Sequence, residues 1–241
     1  MKDSSYYTGI FWSFVSAFLW GTTFIAARYL LKDSLIDPIS LATFRFILGA
    51  AALFILGCIF FRKKMFNVKL SDLLKLSGLS LLGVVGMCVF IFAGQQFTTA
   101  INSAVITSIS RIFILLFGLF IGEKIRLNQI AGIFLSLPGG LLVIGVLNSG
   151  GMNYSFEYFK GDLLVLCGAL SWALYSVFSK PLVLRLGGFT ATVWGLVAGA
   201  GELIILRIIW PQPMIIPPVS AGSLWWLIIY LGIFPGGIAF F

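Results

Sequence analysis

Ser103, Thr107 and Arg111 fall at i, i+4 and i+8 within the stretch SAVITSISRIFILLFGLFIGEK, residues 103–124. On a helix this spacing draws one polar stripe that ends in a permanent cation. Below the arginine the stripe turns apolar, at Leu115 and Leu119. A polar face that stops at a guanidinium has the shape of a cavity floor, and a planar donor fork suits a carboxylate. Such an arginine is expected to bind an anionic or zwitterionic substrate. The competing reading is structural, with Arg111 pairing with Glu202 or with backbone carbonyls. Glu202 is the only carboxylate well inside an apolar run, so it is expected to be either a proton-coupling site or the charge partner of Arg111.

Trp20 and Trp172 also lie deep in apolar runs, too deep for interface anchors. They are expected to shape an apolar wall, together with Tyr175 one helical turn from Trp172. Arg45, closer to the end of its run, reads as a snorkelling or helix-pinning residue. Glu123 reads as a turn residue pairing with Lys124 or Arg126. Gln95 and Gln96 are candidates for the rim of an entrance. Enzymatic chemistry is poorly provided for. With no histidine the usual general base is missing, the HExxH zinc pattern is missing too, and Cys58, Cys88 and Cys167 sit in separate apolar runs without ligand spacing. No metal and no cofactor is expected.

The elements that would position these residues follow from composition. The 241 residues are 60% hydrophobic and only 10% charged, with a mean hydropathy of +1.07. Soluble domains average about 45–50% apolar and about 25% charged. The solvent is therefore a bilayer, crossed by helices of about 20 apolar residues. Eight stretches qualify: 9–31, 38–61, 73–94, 100–121, 128–147, 162–182, 189–210 and 223–241. The formal charge of +8 orients these helices, and no nucleic-acid partner is needed to explain it. Lys2, Arg62, Lys63, Lys64, Lys69, Lys75, Lys124, Arg126, Lys180 and Arg185 gather on one side, which is expected to be cytoplasmic, as is the N-terminus. The protein is expected to be a multi-pass protein of the cell membrane.

The chain also resembles itself. SAFLWG (16–21) aligns with GALSWA (168–173), FILGAAALFIL (46–56) with LVAGAGELIIL (196–206), and LLGVVG (81–86) with YLGIFP (230–235), in the same order. A first copy of five helices, an odd number, sends the second into the membrane from the opposite side. Inverted repeats of this kind are common in secondary transporters, whose substrates bind near the midplane. The expected architecture is all-α, with a first repeat at 1–150 and an incomplete second repeat at 151–241. Eight of an expected ten helices are present. Nothing in the second half matches 93–147, so the chain is expected to be C-terminally truncated.

LWGTTFIAARYL (19–30), PISLATFRFILGAAAL (38–53), GEKIRLNQIAGIFLSLPGGLLVI (122–144) and GDLLVLCGALSWALYSVFSK (161–180) together resemble the EamA-type members of the drug/metabolite transporter superfamily. The resemblance covers essentially the whole chain. It implies ten helices with both ends cytoplasmic, and export or exchange of small molecules such as amino acids, related metabolites or drugs. The family usually carries a proline in the middle of its fourth helix, and here Arg111 stands near that place. The expected function is secondary transport of small metabolites by alternating access, with proton or ion coupling and oligomeric state left open. The alternatives are a truncated protein that is inactive or needs a partner, and a passive channel.

Overall fold

The computed structural model describes residues 2–123, 128, 129, 131, 132 and 156–240. The expected fifth span, 128–147, lies almost wholly outside them. Among the described residues every regular element is helical: α1 (Lys2–Lys32), α2 (Pro38–Phe60), a short α3 (Arg62–Met65), α4 (Leu70–Ser80), a π-helix (Leu81–Gly86), α5 (Met87–Gln95), α6 (Ala100–Ser108), α7 (Ser110–Phe120), α8 (Phe156–Leu186), α9 (Gly188–Ile209), α10 (Gly222–Ile233) and a final 3-10 turn (Ile238–Phe240). Among the described residues seven helical runs are long and apolar enough to cross a membrane: Tyr7–Lys32, Pro38–Phe60, Leu70–Gln95, Ala100–Phe120, Phe156–Leu186, Gly188–Ile209 and Gly222–Phe240. They correspond to seven of the eight expected stretches.

Local chemistry sets the helix starts. Asp37 caps α2 by accepting from the Ser40 N–H at 2.9 Å, with Pro38 in the first turn, where its missing N–H costs nothing. Thr99 caps α6 through the Asn102 N–H at 3.1 Å. Gly187, at φ +84°, makes the tight reversal between α8 and α9 that an L side chain would resist.

The bundle centres on α2 packed against α9, with α5 against α8 beside them. Small residues let these backbones approach. A Cβ on Gly49 of α2 would lie 2.3 Å from the Gly236 carbonyl oxygen, and one on Gly94 would lie 2.6 Å from that of Gly161. Ion pairs tie each end. Asp72 pairs with Arg185, and Glu123 with Lys180, at the basic end. Asp37 meets Arg207 at 3.4 Å and the Ile215 N–H at 3.0 Å at the other. Glu123 reaches across to α8 and pairs with Lys180; its expected partners Lys124 and Arg126 lie outside the described residues.

Among the described residues three apolar runs are interrupted. The Leu70–Gln95 run passes through the π-helix, where the Met87 N–H reaches back five residues to the Leu82 carbonyl. In the Gly222–Phe240 run the Gly236 N–H reaches the Leu231 carbonyl in the same way, at 3.0 Å. Met87 and Leu82 align with Gly236 and Leu231 in the register of LLGVVG against YLGIFP, so the same irregular bond recurs at matched positions. The third break is at Ile109, between α6 and α7. No proline causes it. Ser103, Thr107 and Ser108 turn their hydroxyls back onto the carbonyls of Thr99, Ser103 and Val105, at 2.9, 2.6 and 2.6 Å. Such back-bonding competes with the helix's own ladder and bends it.

Candidate functional site

The structure brings three of the singled-out aromatic residues together. Trp20 of α1 and Trp172 of α8 meet edge-on, with ring centroids 6.4 Å apart. Tyr175 lies 5.4 Å from Trp172. Phe240 completes the group, 5.3 Å from Trp20 and 6.3 Å from Trp172. These separations fall in the range where rings attract beyond simple burial. The Trp20 indole N–H donates to the Pro235 carbonyl at 3.2 Å, beside the Gly236 break.

Two of the three interrupted runs touch this cluster. The ring of Tyr175 lies on Gly83 of the π-helix, where a Cβ would come within 2.2 Å of its Cγ. Trp20 and Phe240 meet the break near Pro235 and Gly236. The aromatic wall thus sits between two irregular backbone segments. Such segments inside a membrane are tolerated only where protein buries them or where they line a cavity. Phe240 and the two π-type bonds were not foreseen; the Gly-rich LLGVVG and the Pro-Gly-Gly after Phe234 were the only signals of them.

The polar residues are dispersed. Ser103 is buried and Thr107 half-buried, and their hydroxyls are spent on α6 itself. Arg111 is exposed on α7, with no hydrogen bond, ion pair or ring contact to another described residue. Glu202 does not pair with Arg111; its two carboxyl oxygens meet the hydroxyls of Ser77 and Ser80 from α4, each at 2.7 Å. Of its two expected roles Arg45 takes the helix-pinning one, holding α2 against α5. It does not snorkel: only 6% of it is exposed. Its guanidinium reaches Cys88 Sγ at 3.6 Å and lies over Phe46 and Phe92, 5.4 and 5.7 Å from their centroids. Gln95 is fully buried, donating to the Phe24 carbonyl at 3.2 Å, so it forms no rim.

Two grooves open beside the bundle. One, of about 480 Å³, lies between α4 and α8 at the basic end and is lined by Lys75, Gly78, Leu79, Phe178, Leu182 and Arg185 among others. The other, of about 390 Å³, lies between α1 and α10 and is lined by Thr22, Ile25, Ala26, Tyr29, Leu227 and Tyr230. The Thr22 and Tyr230 hydroxyls are hydrogen-bonded there at 2.7 Å.

Seven apolar crossing helices with polar groups turned inward define a multi-pass membrane protein. The sequence profile described as the EamA-like transporter family matches residues 7–145 and 159–241, and this chain belongs to that family. It is a transporter rather than an enzyme. An uncharacterized transporter of Archaeoglobus fulgidus is 29% identical over 219 residues, covering 90% of this chain and 73% of that protein. The inner membrane transporter YedA of Escherichia coli is 30% identical over 225 residues, covering 92% and 68%. The aromatic amino acid exporter YddG of Ancylobacter novellus is 30% identical over 160 residues, covering 66% and 53%. A crystal structure of a protein 24% identical superposes with a TM-score of 0.70, over 95% of this chain and 75% of that one.

Proposed function

We propose that this transporter exports or exchanges small anionic or zwitterionic metabolites, amino acids among them, by alternating access between two inverted copies, 1–150 and 151–241. One observation carries the reading. The aromatic cluster of Trp20, Trp172 and Tyr175 stands between two helices broken by the same bond at matched positions. Paired interruptions in the two halves of a repeat are the strongest sequence-level pointer to a transporter's binding site. Trp20 and Trp172 supply the apolar wall, Tyr175 a wall with a polar tip, and Arg111 the receiver for a carboxylate. The aromatic amino acid exporter among the relatives supports an aromatic substrate. The N-terminus and the basic end face the cytoplasm.

The test is counterflow. Purified protein in vesicles preloaded with unlabelled phenylalanine is expected to accumulate labelled phenylalanine transiently, which an uncoupled pore does not do. Trp172→Ala and Arg111→Leu should each remove that overshoot. Undiminished counterflow in Arg111→Leu overturns the role given to the arginine, and no counterflow with any amino acid overturns the substrate class.

A second reading has its own support. The Tyr7–Lys32 helix is only 17% buried, and the groove between α1 and α10 has the apolar lining that a further helix would cover. We infer a ten-helix protein in which another helix seats there, as α6 and α7 seat against α8. The intact mass of the protein from its native membrane tests this, and 26.4 kDa would count against it.

A further inference from the structure

The groove between α4 and α8 changes character along its length. Lys75 and Arg185 stand at its mouth, at the basic end, and Leu79, Leu182 and Phe178 line its deeper part. The two helices run in opposite directions, with Asp72 beside Arg185 and Gly83 beside Tyr175, so both walls carry the same order. At about 1.5 Å per residue, Leu79 lies about 6 Å deeper than Lys75, and Phe178 about 10 Å deeper than Arg185. Gly78 leaves the floor open: no neighbouring side chain or facing backbone lies within 4 Å of the place a Cβ would take.

The two cations at the mouth are unequally committed. Asp72, only 3% exposed, takes one arm of the Arg185 guanidinium. A guanidinium has five N–H donors, so others remain for a second anion while the carboxylate holds the fork in place. Lys75 is exposed and, among the described residues, has no hydrogen-bond, ion-pair or ring partner. One carboxylate against two cations leaves the mouth with a net positive charge.

We propose that this groove binds an anionic phospholipid, with its phosphate between Lys75 and Arg185 and the start of an acyl chain against Leu79, Phe178 and Leu182. Basic pockets between membrane helices take such headgroups, and charge at the mouth with hydrocarbon below is the order of the lipid itself. The same pattern decides against a further helix of the chain. An apolar helix seated there would cover Lys75 without giving it a partner, which the membrane interior penalises. The groove between α1 and α10 has no cation among its lining residues, and it is the one that suits a helix. The α4–α8 groove shares no lining residue with the aromatic cluster, so the lipid site is separate from the site proposed for the substrate, and its test does not depend on transport.

Native mass spectrometry and thermal melts of the purified protein test the site, with dioleoylphosphatidylglycerol and dioleoylphosphatidylcholine as probes. The two lipids share their acyl chains and differ in net headgroup charge. The parent should retain phosphatidylglycerol in preference to phosphatidylcholine, and its Tm should rise as phosphatidylglycerol is added. One lysine at a membrane surface favours anionic lipid by about fivefold. Lys75→Gln should therefore lower the preference by about that factor while melting with the parent in phosphatidylcholine, because it leaves no carboxylate unpaired. Gly78→Phe keeps both cations but fills the floor, and should lose the bound phosphatidylglycerol. Lys69→Gln removes an exposed cation from the same end but outside the groove, and should keep the parent's preference. Equal retention of the two lipids by the parent overturns the site, as does an undiminished preference in Lys75→Gln. Equal losses in Lys69→Gln and Lys75→Gln would show diffuse attraction to the whole basic end, which also overturns it. Inorganic phosphate that raises Tm as much as phosphatidylglycerol does would give the mouth to a free anion and overturn the assignment to lipid.

Discussion

Gly83→Ala should change sign with the residue opposite it. A Cβ at Gly83 would sit 2.2, 2.4 and 2.6 Å from three ring carbons of Tyr175. Carbon contacts are comfortable at about 3.5–4.0 Å, so the ring must retreat by about 1.3 Å or more. Trp172 stands on one side of that ring at 5.4 Å, which limits the retreat. Overpacking of this kind costs about 1–3 kcal/mol, and a blocked retreat puts the cost near the upper end. Alanine recovers about 1 kcal/mol over glycine in a helix. The steric penalty wins, leaving about 2 kcal/mol of net destabilisation. In a chain of this size that lowers Tm by about 2–4 °C per kcal/mol. Tyr175→Ala alone removes a large ring and should cost about 3–5 kcal/mol. It also empties the space over Gly83. In that background Gly83→Ala should stabilise by about 1 kcal/mol, since only the propensity gain remains. The coupling between the two sites is then about 3 kcal/mol. Thermal melts of the four proteins in one detergent measure it. Equal effects of Gly83→Ala in both backgrounds would show that the ring does not rest on this glycine, and the link from π-helix to aromatic wall would fail with it.

Other glycines differ in what they face. Gly49→Ala should be far worse than Gly83→Ala, because its Cβ meets the Gly236 backbone at 2.3 Å and backbone cannot swing aside; Gly78→Ala, with nothing within 4 Å, should be neutral or gain about 1 kcal/mol. Folded yield and Tm distinguish the two. Arg185→Leu leaves the Asp72 carboxylate, only 3% exposed, without its partner; it should cost about 3 kcal/mol, and the double variant Asp72→Leu/Arg185→Leu should recover most of that loss in the same melts. Trp20→Phe keeps a ring but removes the donor to Pro235, so it should cost about 1 kcal/mol, less than Trp20→Ala does, and counterflow should fall in the same order.

Much of the architecture was legible because a bilayer asks little of a sequence beyond length and apolarity. The stretches 38–61 and 189–210 agree with Pro38–Phe60 and Gly188–Ile209 nearly to the residue. The stretch 162–182 falls short of Phe156–Leu186 because its ends are charged, and Glu157, Lys160 and Arg185 extend the helix past its apolar core. Trp20, Trp172 and Tyr175, singled out by their depth, meet in one cluster. Charge pairing was less legible. Glu123 found Lys180, and Arg185 found Asp72, across separate helices. Depth left two roles open at Arg45, and small neighbours such as Gly236, with the rings of Phe46 and Phe92, enclose the side chain in the helix-pinning one. Glu202 and Arg111 were joined as opposite charges. The helix α4 supplied hydroxyls instead, which sequence separation alone does not disclose.

The contact between Trp20 and Pro235 also has a history. Its partners stand 215 residues apart. At about 5–20 residues per second, the ribosome needs roughly 10–40 s to make the second after the first. Throughout that interval the Trp20 face of α1 lacks the cover that Phe240 gives it in the folded chain. That face is thus completed only once Pro235 and Phe240 have been made.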